Sequence, residues 1–444
     1  MTLTAEFPDR SPRGIAGVIS RLVTAGVLAP GDRLPTVREL AAQLQVSPAT
    51  VSAAWQAMSR AGLVESRGRS GTFVRSARRE WLTRRVQGLS ATDGDWRLDL
   101  SLGTPDPALL PSLEDAFSHV SLRADTGRYH DLPVLPDLAR LLERAWPSNA
   151  ERITVVDGAL DGISRTLDAV VGFGARVAVE SPSFPYFFDL IDALGAESVP
   201  LTLDEEGVEP ASLARALTTR PAAVLLQPRS HNPTGASMSE ERARHLVRVI
   251  MAARDGDRVI VIEDDHSGLI SMAPDVTLAT WLPEQVVHVR SFSKSHGPDL
   301  RIAALGGPAA LIERVIARRM LGPGWTSRLL QTVLLDMLTD PGAVSAVRAA
   351  RLAYRDRGEA LVTALRAEGL RLPHVDGLNL WLPVADERAA TVRLAASGIA
   401  VAGGDPFVAG DHEPSVRVTS GRVAVADAPA VAQELAAASR ATLR

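Results

Sequence analysis

Ser291-Phe292-Ser293-Lys294-Ser295-His296-Gly297-Pro298-Asp299-Leu300-Arg301 is the stretch from which the rest of the chain can be read. Lys294 is the sole lysine among 444 residues; every other basic residue, in a Lys plus Arg total of 48, is arginine. A chain that writes its cations as arginine has kept an ammonium where a guanidinium will not serve. An ammonium can lose its proton and attack a carbonyl, whereas a guanidinium stays charged. Imine formation with an aldehyde is the commonest use of that difference. Hydroxyls at Ser291, Ser293 and Ser295, with the forked cation of Arg301, suit an aldehyde that carries a phosphate. That inventory points to pyridoxal 5′-phosphate. The bland alternative, one solvated surface lysine, is disfavoured by these flanks.

From residue 98 onward, short apolar runs alternate with helical stretches. Val177-Ala178-Val179, Val224-Leu225-Leu226, Val259-Ile260-Val261-Ile262 and Val286-Val287-His288-Val289 read as strands of a sheet covered on both faces. Each leads into polar residues: Glu180-Ser181-Pro182, Gln227-Pro228-Arg229, Glu263-Asp264-Asp265 and Arg290-Ser291. Ligands gather at the carboxyl ends of strands in open α/β sheets, so these tips are expected to converge. A protonated pyridine nitrogen requires a carboxylate, and Asp264 is placed for it. A phosphate requires amides at a helix N-terminus, which Gly158, Ala159 and Leu160 supply before a helix expected over 161–171. Phe184 is the candidate ring cover and Asn232, in His231-Asn232-Pro233-Thr234-Gly235, the donor to the ring oxygen. Arg417, in Ser415-Val416-Arg417-Val418, is a candidate fork for a ligand carboxylate.

The first 90 residues differ in kind. They hold 13 arginines against 6 acidic residues, so the net charge of −4 divides into +7 on the head and −11 on the body. A basic head suggests a polyanionic partner. Ile15, Val18, Ile19, Leu22 and Val23 form one helical stripe ending near Gly26. Thr36 with Glu39 is a capping box before Leu40, Ala41 and Leu44. Ser47 caps a third helix with Pro48 at its first position. Val51, Ala54, Trp55 and Met58 point inward there, leaving Ala49, Thr50, Ser52 and Ala53 outward. Two short β pieces, 63–66 and 72–74, are joined by Arg67-Gly68-Arg69-Ser70-Gly71. Three helices and a glycine-rich hairpin describe a winged helix-turn-helix. Residues 75–96 read as a tether, helical around 80–86, in which Arg78, Arg79, Arg84 and Arg85 add DNA attraction or are simply solvated. With no cysteine, disulfides and thiolate metal sites are excluded. No apolar run reaches membrane-span length and the N-terminus lacks a signal peptide's apolar core, so a cytoplasmic protein is expected.

Gly31-Asp32-Arg33-Leu34-Pro35-Thr36-Val37-Arg38-Glu39-Leu40-Ala41, Val46 to Val51, Gly62-Leu63-Val64 and Gly71 to Val74 resemble the DNA-binding domain of the GntR family. The resemblance implies that Arg38, Ser47, Thr50, Ser52, Arg67, Gly68, Arg69 and Gly71 face double-stranded operator DNA. Small side chains at the start of a recognition helix suit the major groove, and arginines suit phosphates or guanine edges. Residues 98–444 resemble the fold-type-I aminotransferases through Asn232-Pro233-Thr234-Gly235, Glu263-Asp264-Asp265, Ser291 to Lys294 with Arg301, and Arg417. That resemblance implies that Tyr129 reaches the phosphate from the partner of a homodimer. It also places His266, where tyrosine is usual, against the ring oxygen. Leu160 likewise replaces a more usual polar residue. Both departures weigh against efficient transamination.

The combination resembles the MocR subfamily of bacterial regulators. The implied organisation is a DNA-binding domain over 1–77, a linker over 78–97, and a pyridoxal-phosphate-binding effector domain over 98–444. The effector domain is expected to be mostly parallel sheet covered by helices, with a smaller C-terminal α/β subdomain. The implied function is a regulator that holds the cofactor on Lys294 and senses a small amino compound. The rivals are a working aminotransferase with an accessory head, and a regulator of pyridoxal phosphate itself.

Overall fold

The computed structural model describes residues 7–24, 27–29, 31–60, 64–66, 68–74, 83–87, 89, 96–120, 132–410 and 412–442. Pro12–Thr24 (α1), Val37–Leu44 (α2) and Pro48–Arg60 (α3) precede an antiparallel pair, Val64–Ser66 (β1) and Thr72–Val74 (β2). The apolar stripes meet in one core, with Ile15, Ile19, Leu40, Val51, Ala54 and Met58 fully buried. The start of α2 is fixed by its capping box. Glu39 N donates to the Thr36 hydroxyl at 3.2 Å, and Thr36 N donates to the Glu39 carboxylate at 2.8 Å. Thr50 N donates to the Ser47 hydroxyl at 3.1 Å, capping α3. In the wing, Gly71 has φ +109°, and a Cβ there would lie 2.9 Å from Nε of Arg33. Glycine is required at that crossing.

The body is built on a seven-stranded sheet of Arg152–Val156 (β3), Arg176–Glu180 (β4), Glu197–Leu201 (β5), Ala223–Leu226 (β6), Ile260–Asp265 (β7), Val286–Ser291 (β8) and Ala303–Gly307 (β9). Their spatial order is β3-β9-β8-β7-β6-β4-β5. Strands β4 to β8 are mutually parallel, and β9 runs antiparallel to β8 and β3. The apolar runs feed two cores. Val177, Val179, Leu225, Ile262 and Val289 pack with helices on one face. Ala178, Val224, Leu226, Val261 and Val286 pack with helices on the other. Burial on both faces is why these runs show no alternation.

One expected boundary shifts. Strand β7 does not stop at Ile262 but pairs with β8 through Asp264↔Val289 and Asp265↔Arg290. The two carboxylates therefore sit within a strand and take opposite faces. The phosphate-turn helix also starts earlier than expected, spanning Ala159–Val170 (α5) with Gly158 as its N-cap. A smaller unit follows, in which Leu380–Pro383, Ser415–Val418 and Ala402–Gly403 form a three-stranded sheet. It packs against Pro341–Ala367 and Ala428–Ser439. No described helix is long and apolar enough to cross a membrane.

Candidate functional site

The carboxyl ends of the parallel strands surround a cavity of about 440 Å³. Ala159, Leu160, Phe184, Asn232, Asp264, His266, Ser291, Ser293, Lys294, Arg301 and Arg417 all line it, so segments spread over more than half the chain converge. Gly158 lies beside Arg301: with φ +93°, a Cβ there would fall 2.7 Å from a guanidinium nitrogen. Arg301 itself donates to the Asp157 carbonyl at 3.3 Å and is otherwise exposed toward the site. Helix α5 thus presents its N-terminal amides beside a cation, which is an anion-binding arrangement. Tyr129 lies outside the described residues.

Lys294 is held by one hydrogen bond, from Nζ to the Gly103 carbonyl at 2.7 Å. Burial, then the charges of Arg417 and Arg301, pull its pKa down to about 8 against the attraction of Asp264. An amine so placed gives up its proton far more readily than an ordinary lysine, and its neutral fraction is a nucleophile. Asp264 is buried and accepts from Gln227 Nε2 at 2.8 Å on one oxygen. Its other oxygen, Oδ1, has no hydrogen-bond partner among the described residues. Burial pushes its pKa up to about 7 despite the Gln227 bond, helped by Asp265 and Glu180. A cationic N–H brought to that free oxygen would restore the charged form.

Two further polar atoms are left without partners. His266 Nδ1 makes no hydrogen bond among the described residues, while Nε2 lies 3.1 Å from the Ser267 hydroxyl. Burial and the Lys294 charge lower its pKa to about 3, so the imidazole is neutral. Arg417 is buried at 2 % exposure, bonded to the Ser101 carbonyl and, at 3.5 Å, to Asn232 Oδ1; its Nε has no partner among the described residues. Its guanidinium stands 5.0 Å from the Phe407 ring. Burial depresses its pKa to about 10, with only Asp99 acting the other way. Burying a cation without a carboxylate is costly, and an anionic ligand would relieve that cost.

Residues 97–436 match the family model for aminotransferase class I and II, and residues 13–74 that for bacterial regulatory proteins of the gntR family. Along nearly its whole length the chain is 37% identical to the vitamin B6 salvage pathway transcriptional repressor PtsJ of Salmonella typhimurium strain LT2. The match covers 90% of this chain and 92% of that one. The chain belongs to the MocR-type regulators. This MocR-type chain is also 30% identical to the HTH-type transcriptional regulator TauR of Rhodobacter capsulatus, over 88% of each chain. It shares 28% identity with the pyridoxine biosynthesis regulator PdxR of Corynebacterium glutamicum, over 80% of this chain and 79% of that one. The solved α-aminoadipate aminotransferase LysN of Thermus thermophilus superposes with a TM-score of 0.69 at 20% identity. It covers 80% of this chain and 96% of LysN, and shows the shared fold. The protein is thus a transcriptional regulator with an aminotransferase-like domain.

The head of this MocR-type regulator places its candidates unevenly. Arg38 is exposed on α2, and Thr50 and Ser52 lie on the outer face of α3. The Ser47 hydroxyl is committed to the cap and to the Thr50 hydroxyl, 2.8 Å away, so its role is to start the helix. Gly68 (φ +58°) and Gly71 shape the wing. Arg67 and the side chain of Arg69 lie outside the described residues. Sequence reasoning missed Gln227, which bridges Asp264 and the Asn232 amide, and Gly103, which holds Lys294. Gln227 was visible at a strand tip; nothing local marks Gly103.

Proposed function

We propose that this regulator binds pyridoxal 5′-phosphate at Lys294, and that its DNA-binding head responds to an amino compound meeting the cofactor there. The observation that carries the reading is the convergence of a depressed-pKa lysine with three unpartnered polar atoms. Asp264 Oδ1, His266 Nδ1 and Arg417 Nε match a pyridinium N–H, a ring oxygen and a ligand carboxylate respectively. When bound, the cofactor supplies an aldehyde and an electron-withdrawing ring. The chain's part is to hold it: Arg301, the α5 amides, Ser291 and Ser293 for the phosphate, Asn232 beside the ring oxygen, and Phe184 against the ring. Tyr129 of a homodimer partner would complete the phosphate site. Lys294 supplies the neutral amine, and Gly103 orients it. Arg417 selects ligands that carry a carboxylate.

At the head, Arg38, Thr50, Ser52, Arg69 and the wing would read an operator, with two heads on half-sites about 34 Å apart or multiples of that. A ligand shifts the spacing of the heads only by binding the two arrangements with different affinity. A second reading, that the cofactor is itself the signal, is favoured by the names of PtsJ and PdxR, which concern vitamin B6 and pyridoxine. Titrating binding to the gene's own upstream DNA separates the two. The favoured reading expects a further change when amino acids follow saturating pyridoxal phosphate. A response complete with pyridoxal phosphate alone selects the second reading, and no response to either overturns both.

A further inference from the structure

Residues 83–87 and 89, the described part of the tether ahead of residue 96, lie against the body. Its helix, Arg84–Gln87 (α4), is flanked by anchors. Thr83 Oγ1 donates to Asp189 Oδ2 at 2.5 Å. The Arg85 guanidinium donates to the Val408 carbonyl at 2.9 Å and the Pro406 carbonyl at 3.3 Å, and lies 4.8 Å from the Phe188 ring centroid. Arg85 is thereby used to fix the tether, not to attract DNA. Val86, only 6% exposed, and Leu89 form part of the wall of the Lys294 cavity.

The position along that wall follows from the anchors. Pro406 and Val408 flank Phe407, the ring beneath the Arg417 guanidinium. The described segment therefore bridges the Pro185–Ala193 helix, through Asp189 and Phe188, and the 405–408 turn that carries Phe407, and its Val86 and Leu89 line the cavity between them. A ligand with its carboxylate at Arg417 and its amine toward Lys294 must place its remaining substituent nearby. The lining also includes Leu102, Tyr186 and Phe187, and Asp264 is the only carboxylate lining the cavity among the described residues. Val86, Leu89, Leu102 and Phe187 favour an apolar substituent, at roughly 25 cal/mol per Å² removed from water, and apart from Asp264 the lining offers a second ammonium no carboxylate.

Resting on the proposed reading of Lys294, we infer that Val86 and Leu89 are specificity-determining contacts that select a carboxylate-bearing amine with a compact apolar substituent. That substituent touches the very segment leading to the DNA-binding head. Ligands that fill the space favour the docked tether; ligands that do not leave it unbiased. The difference in affinity between docked and undocked states is what a switch requires.

The test uses two stable probes, N-(5′-phosphopyridoxyl)-L-leucine and N-(5′-phosphopyridoxyl)glycine, titrated calorimetrically into cofactor-free full-length protein. The natural chain should prefer the leucine probe by roughly tenfold, the scale set by burying a few methylenes. In Val86→Ser/Leu89→Ser the ratio should fall toward one, with the glycine probe as reference for an intact site. A ratio unchanged from the natural chain, or no preference in the natural chain, overturns the inference and leaves the cofactor reading standing. Failure of both probes to bind the natural chain overturns the cofactor reading itself. Because the chain has no cysteine, Leu89→Cys gives a single reporter thiol. Its alkylation should slow about tenfold with the leucine probe relative to the glycine probe, and equal rates would refute the contact.

Discussion

Strand β7 separates two regions that treat buried charge in opposite ways. On one side, Asp265 is gripped by Arg229 through two hydrogen bonds at 2.7 and 2.8 Å and by Arg290 at 3.2 Å. Asp275 bridges the same two arginines. Glu263 accepts from Thr277 at 2.5 Å and Leu278 N at 2.7 Å, and lies 2.8 Å from His288 Nδ1. Burial alone would raise Asp265, but the charge and hydrogen bonds of Arg229 hold it well below the carboxylate range. On the other side, Asp264, His266 and Arg417 each keep a buried polar atom without a partner among the described residues, Lys294 has only the Gly103 carbonyl, and each of the four pKa values moves toward the neutral form. The paired layer supports the sheet. The unpaired layer has the signature of a site whose missing charges arrive with a ligand.

The contrast can be broken by mutation, starting with the largest expected effect. Arg229→Met takes the bidentate partner from buried Asp265, leaving it to Arg290, and should cost about 3 kcal/mol of unfolding free energy in urea titration. A loss under about 1 kcal/mol would mean the layer is not organised by charge. Asp264→Asn, one residue away, should not destabilise the cofactor-free protein and should make it more stable near pH 7, because it removes a buried carboxylate that lacks its counter-charge. It should weaken pyridoxal phosphate binding by about tenfold or more, read by fluorescence titration.

Two pH responses sharpen the same comparison. Asp264 has a raised folded pKa, so its contribution to stability is present below the ordinary carboxylate value and is lost as pH rises through about 7. Cofactor-free protein should therefore lose thermal stability between about pH 4 and 7, and Asp264→Asn should flatten that slope. Lys294, depressed to about 8, is mostly protonated below that pH. The rate of covalent capture of pyridoxal phosphate should rise about tenfold per unit up to pH 8 and then level off, where a free lysine would keep climbing past pH 10. The smallest effect belongs to the head. Thr36→Ala removes the capping box and should cost about 1 kcal/mol, with cofactor binding unchanged.

Legibility in the sequence followed the range of the interactions. The head could be read nearly whole, because its caps and stripes are set by neighbours a few residues apart, although the reason for Gly71, its crossing with Arg33, is not local. In the body, the apolar strands and the order of Asn232, Asp264, Lys294 and Arg417 pointed to one convergent site. The sequence singled out Asp264 but placed it in a polar tip after the strand; that the strand runs on through Asp265, which turns away to Arg229 and Arg290, depends on partners arriving from elsewhere. The tether was least legible. Its arginines read as DNA attraction or as solvated charge, and the contacts that lay it on the body, from Asp189 and Phe188 to the Pro406 and Val408 carbonyls more than 300 residues away in sequence, are all non-local.

The most direct test of the account is chemical. Full-length protein is incubated with pyridoxal phosphate, reduced with borohydride and mapped by peptide mass. A single modification at Lys294, absent together with the visible colour in Lys294→Ala, is the result expected. Colourless protein, or a label on the N-terminal amine with Lys294 untouched, would contradict it.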